Sequence, residues 1–187
     1  MKSLYTYIVE PLDGRLYDNV KKFKGGELIT SSSIENHTTT NRYATVLAPP
    51  EKLNTPVNKG ATIIVHHNVF RKYNDMKGIE QYAAGLIKDN MYMVDPYQVF
   101  MYKNPGEDEW TTLDPYCFVS PIDNDVDFHN GSEKEMYGIM EYPNTYMNNL
   151  GLKKGDLIAF KTDSEYEFNI EGKKYYRVNS NSICLTK

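Results

Sequence analysis

Cysteine is scarce in this chain of 187 residues: Cys117 and Cys184 are the only two, too few for a disulfide framework or, alone, a four-ligand zinc site. Both read as small buried hydrophobes that stay reduced. Long apolar runs are missing too. The longest, Ala61 to Val65 and Leu157 to Phe160, are strand-sized and far short of the roughly 20 residues that a membrane span needs. The opening Met1-Lys2-Ser3-Leu4-Tyr5-Thr6-Tyr7 has neither the apolar stretch nor the cleavage site of a secretory signal, so a cytoplasmic location is expected. There is no excess of positive charge. Lys plus Arg number 21 against 25 Asp plus Glu, for a net charge of -4, and no basic stripe runs along the chain, which argues against nucleic acid as a partner.

What is present is aromatic and strand-like. Short stretches rich in Tyr, Val, Ile and Phe alternate with Gly, Pro, Asn and Asp, the pattern of an all-β chain. It predicts strands over Tyr5–Glu10, Tyr43–Leu47, Ala61–His66, Met91–Val94, Val99–Tyr102, Cys117–Ser120, Gly138–Tyr142, Leu157–Lys161, Glu165–Ile170, Lys174–Val178 and Ile183–Leu185. The best helical window, Lys77–Asp89, holds Gly78 and Gly85 and no stripe of period 3.6, so it is expected as loop with at most one helical turn. The acidic, turn-rich segment 104–112 reads as a linker between domains at 1–103 and 113–187, with Trp110 packed against one end of a barrel.

These two pieces repeat each other. Pro11 aligns with Pro121 at an offset of 110 (121 − 11), Gly60 with Gly155 at 95 (155 − 60), and Val94 with Val178 at 84 (178 − 94). Two tandem copies of one β unit explain this economically. The first fall in offset places extra residues of the first copy between its opening strand and Gly60. Residues 14–41, dominated by Gly, Ser, Thr, Asn and Lys, are accordingly expected to form a long mobile surface loop, a place where function concentrates. Residues 66–85 read as a second insertion.

The order of strand, Gly-Gly loop, return strand, Lys-Gly turn, apolar strand and closing strands resembles the GroES family of co-chaperonins. The resemblance rests on Tyr7-Ile-Val-Glu-Pro11, Gly25-Gly-Glu-Leu-Ile-Thr30, Thr40-Asn-Arg-Tyr-Ala-Thr-Val-Leu47, Val57-Asn-Lys-Gly-Ala-Thr-Ile-Ile-Val65 and Asp95-Pro-Tyr-Gln-Val-Phe-Met101. In the second copy it rests on Leu152-Lys-Lys-Gly-Asp-Leu-Ile-Ala-Phe160 and Ser180-Asn-Ser-Ile-Cys-Leu185. The fold it implies is two tandem GroES-like (OB-like) small β-barrels, the first with the mobile loop. The function it implies is a co-chaperonin that caps a GroEL-type chaperonin and assists ATP-dependent folding, with no active site of its own. Docking would fall to Gly25, Gly26, Glu27, Leu28, Ile29 and Thr30, with Leu28 and Ile29 entering a groove between two helices of the chaperonin. Glu27 departs from the family's apolar residue at that place. A ring-like homo-oligomer is also implied, assembled through Tyr5–Glu10, Ile183–Leu185 and Val99–Tyr102 as sheet edges. The alternative is a structural or assembly protein of the same fold that has lost chaperonin binding. The divergence and the Asn, Lys and Tyr bias fit a virus-encoded co-chaperonin or an AT-rich genome.

Other chemistry finds little support in the residues. Ser31-Ser-Ser33 lacks a Gly-x-Ser-x-Gly frame, and Gly25-Gly26 lacks the Lys-Ser or Lys-Thr of a phosphate loop, so no catalysis is expected. His66 and His67 follow a strand and are expected to point one inward and one outward, which does not chelate a metal; His37 and His129 sit in loops. Asp123-Asn-Asp-Val-Asp127 lacks the Gly and Glu of a calcium loop and reads as a solvated turn. The 16 tyrosines could make a stacking surface for single strands, but without a basic groove they read as core. No metal, cofactor or membrane contact is expected.

Overall fold

The computed structural model describes residues 2–29, 39–123 and 133–186. They form an all-β protein of antiparallel sheets with one short α-helix among the described residues. No described helix is long and apolar enough to cross a membrane. The chain divides into two compact units, Met1–Glu109 and Trp110–Lys187.

In the first unit the strands are β1 (Tyr7–Pro11), β2 (Val20–Phe23), β3 (Gly26–Ile29), β4 (Tyr43–Ala48), β5 (Thr62–Val65), β6 (Lys72–Asn74), β7 (Glu80–Tyr82), β8 (Leu86–Lys88), β9 (Met91–Val94) and β10 (Val99–Lys103). The main sheet runs β10-β5-β4-β1-β9-β8, while β2-β3 and β6-β7 are separate hairpins. The second unit holds β11 (Thr111–Thr112), β12 (Tyr116–Asp123), β13 (Glu133–Tyr142), α1 (Thr145–Asn149), β14 (Leu157–Phe160), β15 (Tyr166–Ile170), β16 (Lys173–Asn179) and β17 (Ile183–Thr186), with the sheet order β15-β16-β12-β13-β14-β17. Neither order returns to its start, so the described pairings leave both sheets open.

The six main strands of each unit follow the same order in chain and in sheet, and their registers coincide. Tyr7 faces Val94 as Cys117 faces Val178; Val9 faces Val46 as Val119 faces Met140. Tyr43 faces Ile64 as Tyr137 faces Ala159, and Val65 faces Val99 as Phe160 faces Ile183. Even the irregularities recur: the register slips between Ile8 and Val9 and again between Phe118 and Val119. The turn before the third main strand is closed alike, by the Gly60 N–H on the Val46 carbonyl and the Gly155 N–H on the Met140 carbonyl, each at 2.8 Å. Both glycines have positive φ, 83° and 97°, which a side chain would resist. Offsets of 110 at β1 (117 − 7) and 94 at β4 (140 − 46) put the first length difference wholly between those two strands.

Alternation builds the cores. On β4, Ala44, Val46 and Ala48 are buried and the residues between them half-exposed. Val46 is paired with Val9 and Ala44 with Ile63, and Val65, Phe70 and Tyr92 are buried in the same unit, where the Phe70 and Tyr92 rings pack edge to face. In the second, Cys117, Val119, Met140, Met147, Ile158, Phe160 and Val178 form one cluster.

Three expectations need correction. The window Lys77–Asp89 contains no helical turn but all of β7 and β8; β8 can lie against β9 because Gly85 lacks a side chain where the Met93 carbonyl oxygen would be 2.4 Å from a Cβ. Tyr5–Glu10 is not an edge: β1 is hydrogen-bonded on both sides, to β4 and β9, and so is β12 in the second unit. Four buried residues out of five on β1 reflect that central place. Cys184 is exposed rather than buried, since the β14–β17 ladder skips it, pairing Ile183 and Leu185. The segment read as a linker is held at both ends: the Asn104 side chain binds the Asn58 N–H and the Pro56 carbonyl, and the Thr112 hydroxyl binds the Pro143 carbonyl. Trp110 is buried and donates to Glu171 at 2.9 Å.

Candidate functional site

The excursion between β1 and β4 begins as a stapled stem. Asn41, itself buried, donates from Nδ2 to the carbonyls of Leu12 and Arg15 and accepts the Tyr43 N–H, so one amide ties the departing chain to the returning one. Tyr17 and Thr40 form an antiparallel bridge, flanked by Asp18 N–H to Thr39 O at 2.7 Å and Asn41 N–H to Leu16 O at 2.9 Å. The Tyr17 hydroxyl accepts the Lys72 N–H at the start of β6, and Asn90 reaches the Gly14 carbonyl. The insertion in the 66–85 segment therefore braces the root of the excursion.

Beyond the stem, β2 and β3 form a hairpin whose register pairs Val20 with Ile29, Lys21 with Leu28, Lys22 with Glu27 and Phe23 with Gly26. The turn is Lys24-Gly25, with Gly25 at φ 123°. At Gly26 the Phe23 ring lies close over the backbone, 3.3 Å from where a Cβ would be, so a side chain there would push the exposed ring aside. All of β3 is exposed, and Phe23, Leu28 and Ile29 are 61%, 57% and 67% accessible. Large apolar side chains so open to water mark a contact surface when they cluster.

Because side chains alternate along a strand and directly opposed residues share a face, Phe23 and Leu28 lie on one face of the hairpin and Glu27 and Ile29 on the other. The structure thus gathers Gly25, Gly26, Glu27, Leu28 and Ile29 on one hairpin but separates the two aliphatic anchors by face. Thr30, Ser31–Ser33 and His37 lie outside the described residues. Sequence reading missed Phe23, Asn41 and Tyr17. The Gly-Gly pair between Val20–Phe23 and Leu28-Ile29 was the hairpin signal available for the first of these.

The remaining candidates are dispersed. His66 and His67 do not split inward and outward: both are half-buried, their rings are 4.2 Å apart, and His66 Nδ1 accepts the Asn68 N–H to cap a short 3₁₀ turn. The turn, not a strand, sets their directions. Among the described residues no three His, Cys, Asp or Glu side chains are placed to hold a metal. His129 and all of the 123–127 acidic run except Asp123 lie outside the described residues. Burial pushes the Cys117 thiol up to about 12, and its Sγ–H points at the Val178 carbonyl, so it is a packed group and not a nucleophile. No protein-family model and no curated protein matches this chain.

Proposed function

We propose that the chain is a co-chaperonin, built as two GroES-like (OB-like) small barrels, that caps a GroEL-type chaperonin and assists ATP-dependent folding through the β2–β3 hairpin. The observation that carries this reading is that hairpin: a glycine-hinged pair of strands outside the main sheet, stapled at its root, with Phe23, Leu28 and Ile29 open to water. The resemblance of the repeated unit to the GroES family supplies the partner. The common topology and register of the two units support a single ancestral barrel used twice.

The facing of the hairpin answers the difficulty raised by Glu27. Phe23 and Leu28 share one face of the hairpin, with Lys21 at the register position opposite Leu28, and Glu27 lies on the other face, so the two large side chains can enter a groove without burying that carboxylate. Burying each large side chain contributes about 1.5 to 3 kcal/mol. One hairpin binds weakly. Several on one assembly raise avidity by about 10² or more while each contact stays releasable.

The test is co-elution of the intact protein with ATP-loaded GroEL. Phe23→Asp with Leu28→Asp abolishes binding while fold and assembly are unchanged, because these side chains are exposed in the free protein. Ile29→Asp has the smaller effect. If the Phe23/Leu28 variant binds as the parent does, the structural reading replaces this one.

A further inference from the structure

The two units allow one position to be compared with its counterpart. In the second, the Arg177 guanidinium lies between the rings of Tyr116 and Tyr166, 4.9 Å and 5.3 Å from their centroids, and fills the space beside β12 and β16. In the first, the shared register puts Met93 where Arg177 stands and Thr6 where Tyr116 stands. These smaller side chains do not fill that space. A cleft of about 530 Å³ opens there, lined by Thr6 and Met93 and walled by Arg71, Tyr73 and Ala84 of the insertion that the second unit lacks. Its volume is that of a small-molecule site, roughly 300 to 1,000 Å³.

The polar groups of the cleft are unevenly matched. Asp95 is already engaged, accepting the Gln98 N–H in a capping box and paired with the Tyr97 hydroxyl. Arg71 is different: its Nε is buried with no hydrogen-bond partner among the described residues. The Arg71 side chain as a whole is half-buried, lines the cleft and has no carboxylate partner among the described residues, and a guanidinium edge fits a carboxylate through two parallel hydrogen bonds. Apolar Met93 and Ala84 and the Tyr73 ring leave room for a flat body behind that carboxylate.

We propose that this cleft in the first unit binds a small planar carboxylate, with Arg71 taking the carboxylate and Tyr73 and Met93 the flat apolar part. The site is separate from the hairpin and stands whether or not the chain binds a chaperonin. Benzoate, acetate and inorganic phosphate, each titrated into the intact protein and followed by tyrosine fluorescence and amide chemical shifts, test it. Benzoate is expected to saturate, with acetate and phosphate at least about tenfold weaker because neither has a ring to bury. Arg71→Met should weaken benzoate at least tenfold without lowering the melting temperature, since Nε loses no partner. Thr6→Tyr, which places the second unit's ring in the cleft, should block benzoate with Arg71 intact, so loss of binding is separable from loss of fold. No saturable benzoate binding, undiminished binding in either variant, or phosphate binding as tightly as benzoate overturns the proposal.

Discussion

Gly138 shows how a single residue records the packing of its unit. Its counterpart by register is Ala44, since Gly138 faces Pro121 as Ala44 faces Pro11. A Cβ on Gly138 would lie 2.8 Å from the Val119 side chain and 3.0 Å from the Ser120 carbonyl oxygen, whereas Ala44 is fully buried with its methyl accommodated. Gly138→Ala should therefore destabilise the second unit by about 1 to 3 kcal/mol, read as a shifted denaturation midpoint. The cysteines differ as sharply. With Cys184 exposed and Cys117 buried, its thiol pushed up to about 12, an aromatic disulfide reagent at pH 8 should titrate one thiol quickly and the second only on unfolding. Fast reaction of both would contradict the burial of Cys117. Sequence reading treated the two thiols alike, because local composition does not say which residue a strand ladder skips.

At the scale of elements, nearly every strand with strong apolar alternation was legible. Met91–Val94 was anticipated to the residue, and β4, β5, β10 and β14 to within one or two. The strands missed are β2, β3, β6, β7, β8 and β11, all of two to four residues. Most are polar on at least one face, and hairpin pairing organises the longer of them where burial does not. The stem beneath the β2–β3 hairpin depends on one side chain. Asn41→Ala removes both carbonyl contacts and the acceptor for the Tyr43 N–H, at a cost of about 1 to 3 kcal/mol for buried groups left without partners. The expected outcome is faster proteolysis within residues 14–29, with cleavage at 104–112 unchanged. Equal cleavage at both places would show that Asn41 does not hold the root.

For the whole molecule, assembly follows from which strands remain unpaired. β1 and β12 are interior, whereas β17 pairs only with β14, so of the strands expected to meet neighbours Ile183–Thr186 is an available edge. Edges of this kind are normally covered. If β17 pairs with a neighbouring copy, Cys184→Pro should remove a ladder donor there and reduce the mass measured by light scattering, leaving the fold intact. An unchanged mass would place assembly elsewhere, and a parent protein that is monomeric at micromolar concentration would remove the ring from the proposed function. The sequence by itself determined the all-β class, the duplication and the offsets between copies, because alternation, prolines and Lys-Gly turns are local signals carried along the chain. Only the tertiary structure decided which strands are central, which side chains share a face of the hairpin and where the first unit leaves a cleft. Those depend on register and on pairing between residues far apart in sequence, which no local pattern specifies.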